Sequence, residues 1–312
     1  MQVPTYAVRI TTTLALLACL SACGNPASQP NSQAHAESAA NVKITEPQEA
    51  PFTSGAMNSE SPAKEDASIK ETTTPKPTNT PKPDAAKQKE QTKPLYTMNA
   101  AYRFEPIAGT GAAKKAVLLT FDDGPKDKTT LTAMLDTLDK HQAKAIFFVN
   151  GYRVKAKPEL LKLIASRGQT IGNHSWDHID LKKEDESTVR KQIGDVQSIV
   201  KETIGQTPRF FRPPFGSGGD VVKQIARDSG MLFMTWSNGS LDWDASSKDK
   251  PEKVISNVME QLHPGANILM HELPWTKNAL DSLLTKLEEK GYGFIDPATI
   301  DSVPKPKATR AK

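Results

Sequence analysis

Beyond Tyr102, short apolar runs alternate with segments whose apolar residues recur every three or four positions. The runs AVLLTF (116–121), AIFFV (145–149), QTIGN (169–173), RFFR (209–212), LFMTW (232–236), NILMH (267–271) and YGFI (292–295) have the length and β-branched or aromatic content of strands. Seven strands are therefore predicted. Between them Leu131, Met134, Leu135 and Leu138 fall at i, i+3, i+4, i+7, as do Leu280, Leu283, Leu284 and Leu287, and Val189, Ile193, Val196, Val200 and Ile204 keep to one helical face. Strands and helices alternating over about 200 residues predict an α/β fold with parallel strands. A doubly wound sheet and an incomplete (β/α) barrel both fit this rhythm, and periodicity does not choose between them.

Upstream the rhythm disappears. From Gly24 to Met98 the chain is rich in Ala, Ser, Thr, Pro, Lys, Glu and Gln, with too little apolar surface to offset the entropy of ordering. A disordered tether is expected over 23–98, stiffened where TTTPKPTNTPKP (72–83) favours polyproline geometry. A flexible chain of this length holds the folded part on the order of 50 Å from its attachment. The folded domain is expected over 99–305, with a basic tail at 306–312.

The first 23 residues, MQVPTYAVRITTTLALLACLSAC, carry one positive charge, Arg9, and an apolar stretch from Leu14 to Leu20 that is too short to span a bilayer. They read as an export signal over 1–22. Leu20-Ser21-Ala22-Cys23 resembles the lipobox of bacterial lipoproteins, which implies a lipid on Cys23 and an extracytoplasmic protein anchored to the cell membrane. The two cysteines, Cys19 and Cys23, both lie in this segment, so any metal held by the folded part must be held by histidine and carboxylate. The net charge of +4 is spread without a dense basic block, which argues against a nucleic-acid partner.

Parallel α/β folds place their sites at the carboxyl ends of strands. Asp122 and Asp123 end the first predicted strand; His174 and His178, in GNHSWDH, follow the third; Arg212, in FFRPPFG, ends the fourth; Asp242 and Trp243, in GSLDWD, follow the fifth; His271, in ILMHE, ends the sixth. Taken singly, each has an ordinary explanation: Asp-Gly-Pro is a common turn, and a lone strand-end histidine needs no ligand. The H-x-x-x-H spacing is expected to bring both rings to one side of a helical turn. Together these residues set two carboxylates, three histidines and an arginine at one end of one sheet. Two histidines and one carboxylate make a three-ligand site with room for water and substrate, as in catalytic zinc centres or those of similar divalent ions. A second carboxylate beside it can take a proton from water, and a third histidine can supply the proton that a leaving amine needs. Such a set suits hydrolysis of an amide or ester.

The motifs TFDDGP, HSWDH, RPPFG, LDW and LMH, in that order from 116 to about 300, resemble the polysaccharide deacetylase family, the NodB-homology domains of carbohydrate esterase family four. The resemblance implies a distorted, incomplete (β/α) barrel of about seven parallel strands. It also implies Asp122 as general base, Asp123 with His174 and His178 as metal ligands, and Arg212 fixing Asp122. His271 becomes the general acid oriented by Asp242, Trp243 and Leu269 line a pocket for the acetyl methyl, and the Phe215 backbone N–H serves the oxyanion. The cofactor implied is one divalent ion, Zn2+, with Co2+ or another ion as alternatives.

Three positions depart from the family pattern: Phe215 stands where Tyr is frequent, Gly239 where Asp is frequent, and Glu272 where Asp is usual. The last is read as neutral. His35, His141 and His263 fall outside the motifs and are read as solvated. The expected protein is a lipid-anchored monomer that removes N-acetyl groups from an extracellular glycan such as peptidoglycan, poly-N-acetylglucosamine or a chitin-like polymer. An O-acetyl xylan esterase and a non-catalytic glycan-binding lipoprotein are the alternatives.

Overall fold

The computed structural model describes residues 93–302. The export signal, Cys23, nearly all of the expected tether and the 306–312 tail lie outside the described residues. The described chain opens on a hairpin, β1 (Tyr96–Met98) and β2 (Phe104–Pro106), then alternates strand and helix. Its first half continues with β3 (Ala116–Gly124), α1 (Lys128–Lys140), β4 (Ala145–Val149), α2 (Gly151–Ala156), α3 (Pro158–Ser166), β5 (Thr170–Asn173), α4 (Glu186–Ile204) and β6 (Phe210–Phe211). The second half comprises α5 (Asp220–Asp228), β7 (Leu232–Phe233), β8 (Asn238–Gly239), α6 (Pro251–Glu260), β9 (Asn267–His271), α7 (Pro274–Glu289) and β10 (Gly293–Phe294). No helix among the described residues is long and apolar enough to cross a membrane.

The strand order is β7-β6-β5-β4-β3-β9-β8, every pairing is parallel, and β10 joins the start of β3. Strands β7 and β8 end this path on opposite sides, yet only residues 234–237 connect them. Those residues can reach at most about 18 Å. In a flat sheet the two ends would stand roughly 29 Å apart, six spacings of ~4.8 Å. The sheet must therefore curl, and the two ends do not pair, which makes it the distorted, incomplete barrel expected from the motifs.

Alternation along the strands separates two cores. Val117, Leu119 and Phe121 of β3, Ala145, Phe147 and Val149 of β4, and Ile268 and Met270 of β9 pack outward against Leu131, Leu135 and Leu138 of α1 and Leu280, Leu283, Leu284 and Leu287 of α7. Leu118, Ile146, Phe148 and Phe210 turn inward and meet Tyr96 and Phe104 of the hairpin, which plugs the amino-terminal end of the barrel. The hairpin starts at Tyr96, before the domain boundary expected at 99. It docks tightly: the Phe104 N–H donates to the Gly265 carbonyl at 2.9 Å. Gly265 has φ +72°, and a Cβ there would stand 1.9 Å from the Phe104 oxygen, so only glycine fits. With its amino end filled, the barrel is left open at the carboxyl ends of its strands.

Candidate active site

In an ordinary strand Asp122 and Asp123 would point to opposite faces. Asp122 follows Leu118 and Thr120 into the barrel, while Asp123 should face the helices as Phe121 does. The chain avoids this with an irregularity: the β3–β4 register shifts between Phe121 and Gly124, and Asp123 takes the left-handed conformation at φ +65°. Its carboxylate then reaches the same compartment as that of Asp122. Ser175, His178, Phe215 and Leu241, in the loops at this end of the sheet, also have positive φ. Each conformation costs roughly 1–3 kcal/mol and persists because its surroundings hold it.

Asp123 Oδ1 lies 3.1 Å from His178 Nε2 and 3.4 Å from His174 Nε2, and the three ligand atoms all fall within 4.8 Å of one another. Oδ1 is buried yet makes no hydrogen bond of acceptable geometry. A buried carboxylate oxygen facing two imidazole nitrogens without bonding to either fits a cation between them. The tautomer fits too: His174 Nδ1 donates to the Arg212 carbonyl at 2.7 Å, which leaves the Nε2 lone pair for a metal. Burial opposes the charged form of Asp123, but the two imidazoles outweigh it and hold the carboxyl far below the usual carboxylate range.

The HSWDH segment is not the helical turn expected from its spacing. Positive φ at Ser175 and His178 makes it an irregular loop, and side chains outside the motif hold it. Asn150 Nδ2 donates to the His174 carbonyl at 2.9 Å, Asn173 Oδ1 accepts from the Ser175 N–H, and buried Gln192 on α4 exchanges two hydrogen bonds with Asp177.

Arg212 is fully buried across the barrel interior. Its Nη1 donates to Asp122 Oδ1 and Thr120 Oγ1, both at 2.7 Å; Nη2 donates to Asn267 Oδ1 and the Thr235 carbonyl; and Nε donates to the same carbonyl. All five N–H groups are thus satisfied, and the guanidinium lies over the Phe148 ring at 4.4 Å. Burial lowers the Arg212 pKa while Asp122 pulls it back up. The arginine leaves Asp122 Oδ2 free to face the site, 3.7 Å from His174 Nε2.

His271 mirrors this arrangement. Its Nδ1 donates to Asp242 Oδ1 at 2.7 Å, so Nε2 is presented to the opening. Asp242 is fully buried, and its Oδ2 accepts from the His271 backbone N–H and the Thr276 hydroxyl, while Trp275 donates to its carbonyl. Burial opposes the imidazolium, but Asp242, with the charges of Asp122 and Asp123 behind it, more than reverses this and raises the His271 pKa above its ordinary value. Trp243 packs edge-on against His271 at 5.4 Å, and Phe215 packs edge-on against His178 at 4.8 Å; both are exposed apolar surfaces at the opening. Leu269 lies two residues before His271 on the same face of β9 and is buried.

These distances describe a candidate three-ligand metal site beside an arginine-held carboxylate and an aspartate-held imidazole. The family model for polysaccharide deacetylase matches residues 109–234. A peptidoglycan-N-acetylmuramic acid deacetylase of Bacillus subtilis is 32% identical over 183 residues, covering 58% of this chain and 69% of the relative.

The chain belongs to the polysaccharide deacetylase family.

Among other members of this deacetylase family, a peptidoglycan-N-acetylglucosamine deacetylase of Listeria monocytogenes is 39% identical over 199 residues, covering 64% of this chain and 41% of the relative. This chain therefore spans less than half the length of that relative. A solved structure of a carbohydrate esterase family four pseudoenzyme from Bacillus anthracis superposes with a TM-score of 0.57 at 34% identity, covering 60% of this chain and 66% of that one.

Among the described residues, contacts and register link Asp122, Asp123, His174, His178, Arg212, Phe215, Asp242, Trp243 and His271, and Leu269 lies two residues before His271 on β9. Cys23 lies outside the described residues. Other partners escape a reading of the sequence. Thr120 and Asn267 are visible there only as polar residues in apolar strands, and Thr276 and Gln192 sit on helices, 34 and 15 residues from the Asp242 and Asp177 they bond. Glu272, expected to be neutral, is 2% exposed, and its Oε1 accepts the backbone N–H groups of Lys126 and Asp127. Burial pushes its carboxyl up against the pull of those amides. His141 is not solvated either: its side chain is 6% exposed and bridges Asp281 and Glu288 of α7 at 2.8 and 2.9 Å. His263 Nε2 lies 3.1 Å from the Ser237 carbonyl oxygen.

Proposed function

We propose that this protein is a divalent-metal deacetylase that removes N-acetyl groups from the amino sugars of peptidoglycan, exported as a monomer and held at the membrane by a lipid on Cys23. The observation that carries the reading is the pairing of an arginine-held Asp122 with an aspartate-held His271 beside Asp123, His174 and His178. A divalent ion at those three ligands, zinc in this reading with cobalt or another ion as alternatives, would polarise the acetyl carbonyl and acidify water.

The chain's own groups divide the remaining work. Asp122, fixed by Arg212, takes the proton from the attacking water. The Phe215 N–H donates to the developing oxyanion. His271, kept charged by Asp242, delivers a proton to the departing amine, and acetate and a free amino sugar result. Trp243 and Leu269 shape the space for the methyl group. Relatives named as peptidoglycan deacetylases support the substrate class, and a long tether to the membrane suits a polymer next to the cell.

The likeness to a pseudoenzyme favours one rival, glycan binding without turnover. The intact base, acid and ligand set weigh against it, because binding alone gives no reason to seat a second carboxylate beside Asp123. Acetate release decides the matter. Purified protein is incubated with peptidoglycan, N-acetylglucosamine oligomers and acetylated xylan, with and without chelator, and compared with Asp122→Asn. Release from the amino sugars that chelator abolishes is expected. Release from xylan alone would make the protein an esterase, and no release from any substrate with metal added would leave the binding role.

A further inference from the structure

Residues 267, 269 and 271 of β9 face the barrel interior, so Glu272, one step on, turns the other way, beneath the turn after the two aspartates. Its Oε1 accepts two consecutive amides, Lys126 N–H at 2.9 Å and Asp127 N–H at 2.8 Å. Its Oε2 is buried with no hydrogen-bond partner and lies 2.9 Å from where a Cβ on Gly124 would stand. The side chain thus ties the end of the strand bearing His271 to the 124–127 turn and fills the space that a glycine at 124 leaves. Helix capping does not account for it, because Asp127 already caps α1 by accepting the Thr130 N–H at 2.7 Å. Nor does plain packing, since an apolar side chain would fill the space without stranding a buried oxygen.

The turn that Glu272 grips begins at the left-handed Asp123, whose conformation needs support from its surroundings. We propose that Glu272 is a positioning residue for Asp123: by holding the 126 and 127 amides it fixes the turn that aims the Asp123 carboxylate at His174 and His178. The proposal rests on reading those three residues as metal ligands, and it is tested through metal affinity, without substrate.

The full chain and its variants are titrated with zinc against a chromophoric chelator, and their stability is measured by urea unfolding. Glu272→Ala is expected to weaken zinc binding roughly 10–100-fold, as loss of an outer partner of a metal ligand does. Glu272→Gln keeps a carbonyl acceptor for both amides and should bind zinc within about threefold of wild type. Gly124→Ala, whose methyl would displace Oε2, should weaken zinc with Glu272 intact, and the double variant Gly124→Ala/Glu272→Ala should be no weaker than the worse single one. Unchanged zinc affinity in Glu272→Ala, whatever its stability, would overturn the assignment. If that variant fails to fold, wild-type affinity in Gly124→Ala would do the same. Because zinc affinity is the readout, a wild-type protein that releases no acetate would count against the proposed activity and leave this assignment standing.

Discussion

Asp122 and His271 are register partners on the adjacent parallel strands β3 and β9, and both occupy interior-facing positions. Each is held from behind by a residue of opposite charge, Arg212 for the carboxylate and Asp242 for the imidazole. The groups proposed to accept and to donate a proton are therefore neighbours across one strand spacing, set by backbone hydrogen bonds and not by mobile loops.

Asp122→Asn and Asp123→Ala should fail differently. The first is expected to lower kcat by roughly 10²–10⁴-fold, the range of a lost general base, while zinc affinity stays near wild type. The second should lose zinc binding first. Calorimetric zinc titration beside steady-state acetate release separates the two, and equal zinc loss in both would reverse the division of roles.

The raised pKa of His271 predicts the pH profile. As an acid it acts only while protonated, so activity falls as pH rises through its pKa, and Asp242 extends activity to higher pH. Asp242→Asn removes the charge that raises this pKa and should move the alkaline limb of kcat/KM to lower pH. A limb that does not move would remove His271 as the group it reports.

Arg212→Met leaves Asp122 buried without its partner and should cost about 3–5 kcal/mol in urea unfolding. Adding Asp122→Asn removes the stranded charge, so the double variant should regain part of that stability without regaining activity. A single variant as stable as wild type would mean that Asp122 finds another partner.

Gly151 stands at the start of α2, and a Cβ there would come within 2.1 Å of the Trp176 ring in the loop between His174 and His178, the two proposed histidine ligands. Gly151→Ala should displace that ring, shift tryptophan fluorescence and weaken zinc roughly tenfold, although residue 151 touches no proposed ligand. Unaltered fluorescence and affinity would show that the loop absorbs the methyl.

Six of the seven strands read from the sequence carry at least two adjacent apolar residues, and QTIGN carries one, Ile171. Strand β8, only Asn238–Gly239, carries no such signal and exists because β9 offers it an edge. The β1–β2 hairpin is not among the strands read from the pattern because its apolar residues, Leu95, Tyr96, Met98 and Phe104, form no run as long as those of the core strands, and tertiary contact with Gly265 supplies what local pattern lacks. The residues at the mouth are legible because chemistry restricts their types and strand ends restrict their positions. Their supports are not. Glu272 looks like a neutral exchange for aspartate until the 126 and 127 amides are seen above it, and His141 looks solvated until α7, some 140 residues away in sequence, brings Asp281 and Glu288 to it.

The left-handed turn at Asp123 also sets a length scale. Two residues on one face of a straight strand have Cα atoms about 6.6 Å apart. Consecutive residues have Cα atoms about 3.8 Å apart but normally face away from each other. By reversing the facing of one residue, the irregularity in β3 gives both carboxylates the shorter spacing. An Asp-x-Asp sequence on a regular strand would put the same groups in the same barrel with their Cα atoms about 6.6 Å apart instead of about 3.8 Å.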